Sequence, residues 1–195
     1  MSDDIQGDVI ATLKLIVVGS AGVGKTTLIS AFQHKNNPLD TTPTIAPAST
    51  VALIGLSKGS SVSLVIWDTA GQERFQSISQ MFYRDADVCF VCFDSTDEDS
   101  IETWITRVRN EVPQCIIIFV ATKCDLLDSE QTNLMNNQMK QIAQKYGVPM
   151  TFITSAKTGK GVNDIFQAAA ECVYQVQTRN MTTNLEPNEK KEKCC

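Results

Sequence analysis

The sequence predicts an α/β fold with a mostly parallel six-stranded sheet, one antiparallel edge strand and helices on both faces. Short apolar runs rich in β-branched residues recur along the chain, which is typical of strands buried on both faces. Amphipathic segments with helical spacing lie between these runs. Because such helices carry the chain back across the sheet, strands that alternate with helices usually pair in parallel.

Six apolar segments are predicted as strands: residues 13–18, 51–56, 62–67, 88–93, 115–121 and 150–153. The second and third form a β-hairpin around Lys58-Gly59-Ser60, so the antiparallel strand belongs to this pair. Helical spacing predicts helices over residues 25–33, 101–112, 131–146 and 162–176. Sheets of this kind bind ligands at the carboxyl ends of their strands, where we expect the functional residues.

The chain is predicted to hold one folded domain between two tails. Residues 1–11 are expected to form a flexible N-terminus, residues 12–177 the domain, and residues 178–195 a disordered tail. The last segment is polar, contains Pro187 and has no apolar periodicity with which to bury surface. The net charge of −5 argues against a nucleic-acid partner, because neutralisation of phosphates supplies most of that affinity.

The seven cysteines do not suggest a disulfide framework or a metal site. Five of them lie in or beside apolar runs, where a free cysteine behaves as a small hydrophobic residue. Cys89 and Cys92 form a C-x-x-C pair, but in a strand these two side chains point to opposite faces. We therefore expect neither zinc nor redox chemistry from this pair.

The segment from Gly19 to Thr26 matches the pattern G-x-x-x-x-G-K-[ST], directly after a strand and at the start of a helix. Successive backbone N–H groups and the helix N-terminus form a binding site for the α- and β-phosphates. Lys25 would reach the β- and γ-phosphates, and the Thr26 hydroxyl would bind Mg²⁺. The residues predicted to contact a nucleoside triphosphate here are Ala21, Gly22, Val23, Gly24, Lys25, Thr26 and Thr27.

A second group of residues, Asp68-Thr69-Ala70-Gly71-Gln72, follows the strand that ends at Trp67. Asp68 can hold Mg²⁺ through water, and the Gly71 backbone N–H can approach the γ-phosphate. Gln72 is the predicted catalytic residue, because its amide can orient the attacking water.

The third group follows the last two predicted strands and comprises Thr122, Lys123, Asp125, Ser155, Ala156 and Lys157. The carboxylate of Asp125 can accept from both N1–H and the 2-amino group of guanine, whereas adenine offers neither donor. The aliphatic part of Lys123 can cover the purine face, and the Ala156 N–H can donate to O6. This group therefore predicts selection of guanine.

With these three groups in order, the sequence resembles the Ras superfamily of small GTPases. Residues 67–75, W-D-T-A-G-Q-E-R-F, together with Tyr83-Arg84 and the final Cys-Cys make it similar to the Rab branch. The resemblance implies a P-loop NTPase fold of the small G domain type, GTP/GDP and Mg²⁺ as cofactors, and slow GTP hydrolysis. It also implies that Thr44 binds Mg²⁺ and that two switch loops, at about residues 37–49 and 69–83, respond to the γ-phosphate.

The same resemblance implies a monomeric switch in vesicle traffic with effectors, an exchange factor, a GTPase-activating protein and a prenyl-binding chaperone. Paired terminal cysteines in Rab proteins imply two prenyl groups, here on Cys194 and Cys195. Two lipids give stable anchoring where one gives only marginal binding. The expected location is the cytoplasm, with cycling onto the cytosolic face of an intracellular membrane.

Three departures from the family pattern leave alternatives open. Ala21 stands in the phosphate loop where replacement of Gly slows hydrolysis in relatives. Thr122 replaces an asparagine whose amide normally connects the base-binding group to the phosphate loop, and we expect this contact to be lost. Asn37 replaces an aromatic residue that stacks on guanine. The last two predict guanine affinity about ten- to a hundredfold below that of relatives. One alternative is a nucleotide-gated membrane scaffold with little hydrolysis. A less favoured one is a P-loop ATP-dependent phosphotransferase, which the guanine-type residues oppose.

Overall fold

The structure is a computed structural model that describes residues 8–33, 48–56, 59–68, 82–94 and 100–183, without the side chains of residues 173 and 175–183. Its strands are β1 Val9–Val18, β2 Ala48–Gly55, β3 Ser61–Asp68, β4 Val88–Phe93, β5 Ile116–Ala121 and β6 Met150–Ile153. The helices in the described part of the chain are α1 Lys25–Gln33, α2 Ile101–Glu111, α3 Ser129–Tyr146 and α4 Val162–Thr183. The predicted α/β class is confirmed.

The strands form one six-stranded sheet in the order β2-β3-β1-β4-β5-β6. Every neighbouring pair is parallel except β2 with β3, which are antiparallel, so β2 is the predicted antiparallel edge strand. β4, in the middle of the sheet, is buried at all its positions. This arrangement places the carboxyl ends of five parallel strands at the same edge of the sheet.

Helices cover both faces of the sheet, as predicted. Side chains of α1 and α4 pack with Val17, Phe90 and Cys92 in one hydrophobic cluster. Side chains of α2 and α3 pack with Cys89 and Phe119 in the other. Cys89 and Cys92 thus lie on opposite faces of β4, and burial raises the pKa of the Cys92 thiol to about 12. This thiol is protonated at neutral pH and is therefore a poor nucleophile and metal ligand.

Local sequence explains where α3 begins and ends. Asp128 accepts a hydrogen bond from the Gln131 N–H at 2.8 Å, and the Gln131 side chain accepts from the Asp128 N–H at 3.0 Å. This reciprocal cap starts the helix at Ser129, slightly before the predicted start at Gln131. Gly147, with φ of 62°, ends it.

Regular secondary structure extends beyond residues 12–177, the predicted domain, at both ends. β1 begins at Val9, within the predicted N-terminal tail, although Val9 and Ile10 are exposed. Backbone pairing with β3 extends the strand without burial, and the Ser61 N–H also donates to the Asp8 carbonyl. A prediction based on burial periodicity misses such a strand.

At the other end, α4 continues to Thr183, through residues 178–183 of the predicted tail. No proline or glycine occurs in these residues, so their polar composition alone does not break the helix. Cys194 and Cys195 lie outside the described residues. Within the described ranges, no helix is both long and apolar enough to span a membrane.

Candidate functional site

The phosphate loop, residues 19–24, connects the carboxyl end of β1 to the start of α1. At Gly19, where φ is 142°, a Cβ would lie 2.2 Å from the Cys92 carbonyl oxygen of β4. Only glycine permits this close approach, which seats the loop against the end of the neighbouring strand. Ala21 and Gly22 are exposed at the top of the loop, while Val23 is buried below it.

Lys25, the first residue of α1, folds back over the phosphate loop. Its Nζ donates to the carbonyl oxygens of Gly19 and Ser20, each at 2.8 Å, and the residue is only 4% exposed. The first turn of α1 contains no acidic residue. A buried ammonium, the helix N-terminus and the loop N–H groups together make this end of the sheet attractive to an anion. Thr27, also predicted, lies in the same first turn.

Thr26 and Asp68 meet beside this loop, one from α1 and the other from the end of β3. The Thr26 Oγ1 donates to Asp68 Oδ2 at 2.5 Å. The other carboxylate oxygen, Asp68 Oδ1, is buried and has no hydrogen-bond partner among the described residues. Burial raises the pKa of Asp68, and the bond from Thr26 and the charge of Lys25 oppose that shift.

These two residues fit a magnesium ion that also binds phosphate. Mg²⁺ is usually held by one or two carboxylates together with substrate phosphates and water, rather than by a full set of protein ligands. In the described ranges, no group of three or more His, Cys, Asp and Glu residues is arranged for a metal. An orphaned, buried carboxylate oxygen beside a hydroxyl is the kind of partial site that phosphate oxygens complete.

At the other end of the site, Asp125 follows β5 and Ser155 follows β6. Ser155 Oγ donates to Asp125 Oδ1 at 2.6 Å, and Lys157 Nζ lies 3.9 Å from Asp125 Oδ2. The Asp125 side chain is only 15% exposed, although the residue as a whole lies at the surface. Ser155 is fully buried, so it fixes the orientation of the carboxylate. Ala156 directly follows Ser155 in the chain and is half-buried.

Thr122 connects the base end of the site to the phosphate loop. Its Oγ1 donates to the Val23 carbonyl at 2.6 Å and lies 3.1 Å from the Phe93 carbonyl. The expectation that threonine in place of asparagine loses this connection is therefore wrong. The side chain of threonine is shorter than that of asparagine, but the Val23 carbonyl lies close enough to the end of β5 for the Thr122 hydroxyl to reach it.

Lys123 lies between the two ends of the site. Its backbone adopts the left-handed conformation, with φ of 57°, and its Nζ lies 2.6 Å from Asp94 Oδ2. A Cβ on Gly24 would be 3.9 Å from Lys123 Cε, so the side chain runs beside the phosphate loop.

Asp94 is not among the site residues predicted from the sequence. It directly follows the buried strand β4, as Asp68 follows β3, and this shared position is the signal that could have identified it.

Several predicted site residues lie outside the described residues: Thr44, Gly71, Gln72 and Asn37. Among the described residues, the structure brings the phosphate-loop residues, Asp68 and the base-binding group together at one edge of the sheet.

Comparison with known proteins agrees with this geometry. The model of the Ras family matches residues 14–175. The chain belongs to the Ras family. GTP-binding protein RHO1 of Candida albicans is 33% identical to it in a match that covers 93% of each chain. Ras-related protein Rab-27B of Rattus norvegicus is 34% identical in a match that covers 87% of this chain and 83% of the relative. GTP-binding protein ypt5 of Schizosaccharomyces pombe is 34% identical in a match that covers 81% of this chain and 76% of the relative.

As a member of the Ras family, the protein is a small GTPase that binds GTP and GDP with Mg²⁺ and hydrolyses GTP. This result argues against the ATP-dependent phosphotransferase considered from the sequence. Relatives named Rho and Rab match at nearly the same identity, 33% and 34%, so identity alone does not separate these branches.

Proposed function

We propose that this small GTPase is a Rab-type switch in intracellular membrane traffic, and that the residues described above hold its nucleotide. The observation that carries the nucleotide assignment is the convergence of three groups at one edge of the sheet. These groups are Lys25 over the phosphate loop, the Thr26–Asp68 pair and the Asp125–Ser155 pair.

At the phosphate end, the N–H groups of residues 21–27 and the ammonium of Lys25 bind the phosphate oxygens. Thr26 Oγ1 donates its proton to Asp68, and its lone pairs remain directed away from that bond to bind Mg²⁺. Asp68, whose Oδ1 has no hydrogen-bond partner among the described residues, would hold the metal through water. When bound, Mg²⁺ would neutralise the negative charge that develops on the phosphates.

Hydrolysis and switching are assigned to residues of the two switch loops. Gln72 orients the attacking water, the Gly71 N–H contacts the γ-phosphate, and Thr44 adds a metal ligand, all as the family resemblance implies. Loss of the γ-phosphate removes the last two contacts, so the loops change conformation between the GTP and GDP states.

At the base end, Asp125 selects guanine. Ser155 occupies one lone pair of Oδ1, and the two carboxylate oxygens keep enough acceptor capacity for the N1–H and 2-amino donors. Lys123 and Lys157 cover the base with their aliphatic parts, and the Ala156 N–H donates to O6. Thr122 connects this pocket to the phosphate loop.

A surface for effector proteins lies on the outer face of the β2–β3 hairpin. Trp67 and Phe82 pack edge to face with ring centroids 5.7 Å apart. Ser49 pairs with Trp67 across the hairpin, so both side chains lie on the same face of the sheet. Every second residue of β2 shares that face, which places the exposed Val51 and Leu53 there as well. An apolar strip beside an aromatic pair supports a protein partner, which we assign as an effector that recognises the GTP state.

The membrane part of the proposal rests on Cys194 and Cys195 and on the Rab-like residues 67–75. We propose that both cysteines carry prenyl groups and that a prenyl-binding chaperone keeps the monomeric protein in the cytoplasm between cycles. An exchange factor and a GTPase-activating protein complete the expected partners. Relatives with Rab and Ypt names support this branch.

Fractionation of cells that express the tagged full-length chain tests this proposal. We expect the wild-type protein on internal membranes and the double variant Cys194→Ser/Cys195→Ser in the cytosol. Serine lacks the thiol that carries a prenyl group, so the double variant has neither lipid anchor. Cys172→Ser, on α4, is the matched control and should fractionate as wild type. Membrane binding by the double variant would contradict lipid anchoring, and a wild-type protein that never reaches internal membranes would contradict the trafficking role.

A further inference from the structure

An ion pair between Asp94, which lies outside the motifs, and Lys123 of the base-binding group joins two neighbouring strand ends at the site. Asp94 directly follows β4, and its side chain is 7% exposed. Its Oδ2 lies 2.6 Å from Nζ of Lys123, which follows β5. The two strands pair in parallel, with Phe93 opposite Ala121, so these side chains start from adjacent backbone positions.

Each member of this pair needs the other. A carboxylate buried to this extent is strongly destabilising without a cation nearby. Lys123 has the opposite problem, because a lysine that is 39% exposed has four flexible carbon–carbon torsions and many accessible rotamers. A contact at 2.6 Å restricts the ammonium, and with it the carbon chain, to one orientation.

That orientation places the carbon chain of Lys123 in the nucleotide site. Lys123 Cε lies 3.9 Å from the position that a Cβ on Gly24 would occupy, so the carbon chain runs beside the phosphate loop. The pair is also neutral as a unit, so Asp94 can lie near the phosphate-binding loop without repelling an anion.

We infer that Asp94 is a positioning residue for guanine nucleotides, which acts by holding Lys123 in the conformation that covers the base. The inference rests on the role of Lys123 given under the proposed function. Because Asp94 orders the lysine before the nucleotide binds, binding does not have to supply that ordering entropy. Loss of Asp94 therefore weakens nucleotide retention and leaves the phosphate and metal ligands in place.

A double-mutant cycle on GDP release tests this inference. The four proteins are the wild type, Asp94→Asn, Lys123→Met and the double variant, each loaded with fluorescent GDP and Mg²⁺ and chased with excess GDP. Methionine keeps most of the apolar chain of lysine but removes the ammonium. Asp164→Asn, which removes an exposed carboxylate in the first turn of α4, is the matched control.

We expect Asp94→Asn to speed GDP release about fivefold, Lys123→Met to speed it at least as much, and Asp164→Asn to match the wild type. The double variant should release GDP within about twofold of Lys123→Met, because without the ammonium Asp94 no longer holds the side chain at position 123 over the base. The unpaired Asp94 carboxylate of Lys123→Met should instead lower the unfolding midpoint of that variant. Thermal unfolding of the GDP complexes accompanies each rate. A purely structural role of Asp94 would lower the unfolding midpoint and leave release at the wild-type rate, which would overturn the inference.

Two further outcomes separate this inference from the proposed function. If Asp94→Asn speeds release equally in both backgrounds, Asp94 does not act through Lys123 and the inference is wrong. If Lys123→Met itself leaves release unchanged, the assignment of Lys123 to the base pocket fails, and the inference fails with it.

Discussion

The two ends of the site differ in how completely their polar groups are paired within the protein. At the base end, Ser155 bonds to Asp125, Asp94 pairs with Lys123, and Thr122 bonds to Val23. At the phosphate end, by contrast, a buried oxygen of Asp68 has no partner among the described residues, and burial raises the pKa of that carboxyl group.

This contrast shows how one site can both retain a nucleotide and respond to its phosphates. The base end is preorganised, so guanine is recognised by groups that are already in place. The phosphate end is completed only by the metal and the phosphates. A change in the number of phosphates therefore changes the contacts of Asp68. This residue directly precedes, in the chain, residues 69–83, one of the two segments that the family resemblance identifies as switches.

The comparison predicts that Asp125→Ala has the largest effect on affinity. It removes two charge-assisted acceptors for guanine at about 1.5–3 kcal/mol each, so GDP affinity should fall at least about a hundredfold. Competition with ADP should then be nearly as effective as competition with GDP, in the presence or absence of Mg²⁺. Asp128→Ala, which removes only the cap of α3, is the control and should cost about 1 kcal/mol of stability without changing selectivity. Retained preference for guanine would contradict the assignment of Asp125.

Thr26→Asn tests the phosphate end. The variant would lose the hydroxyl metal ligand. Because Mg²⁺ would neutralise the charge that the γ-phosphate adds, GTP should lose more affinity than GDP, by about tenfold or more. The difference from the wild type should disappear in EDTA. An effect of equal size with and without Mg²⁺ would show that Thr26 acts through structure and not through the metal, and it would erase the contrast between the two ends.

Gln72→Leu separates hydrolysis from binding. The side chain orients water and holds neither metal nor base, so GTP affinity should stay within about twofold while stimulated hydrolysis falls tenfold or more, about 1.4 kcal/mol of barrier. Single-turnover GTP hydrolysis with and without an activating protein provides the measurement. Undiminished stimulated turnover would mean that another group orients the water. Very slow hydrolysis already in the wild type would favour the scaffold alternative that Ala21 suggested.

Thr122→Ala should have the smallest effect. One buried hydrogen bond to the Val23 carbonyl is worth about 0.5–1.5 kcal/mol, so GDP release should accelerate roughly two- to tenfold. Thr122→Ser keeps the hydroxyl and should behave as the wild type. A serine variant as fast as the alanine variant would show that the methyl group, not the hydrogen bond, matters at this position.

The structure also reduces the expected loss of affinity relative to other family members. That expectation rested on Asn37 and Thr122 together, and Thr122 makes the bond that it was expected to lack. Only the missing aromatic residue at position 37 remains, at about 0.5–1.5 kcal/mol. Displacement of fluorescent GDP, run beside a typical small GTPase, measures the remaining difference.

The sequence alone was sufficient for features that depend on residues close together in the chain. The α/β class follows from alternating apolar periodicities, and the roles proposed for Lys25 and Thr26 follow from a loop whose spacing sets its own backbone geometry. Asp68 and Asp125 were also recognisable, because each directly follows a strand at the edge where such sheets bind ligands. Helix and strand ends were less accurate, since backbone pairing extends β1 to Val9 without any burial signal.

Only the tertiary structure decided the contacts between strand ends. Thr122 and Val23 are 99 residues apart in the chain, and Lys123 and Asp94 are 29 apart. Lys123 meets Asp94 because β5 pairs with β4, and Thr122 meets Val23 because the phosphate loop after β1 lies against the end of β4. Strand order is a property of the whole fold. Apolar periodicity identifies a strand and the residue that ends it, but it does not tell which strand lies beside it or how close their ends are. For that reason the sequence could name the chemistry of each side chain at this edge, while the packing of the sheet determined which of them pair.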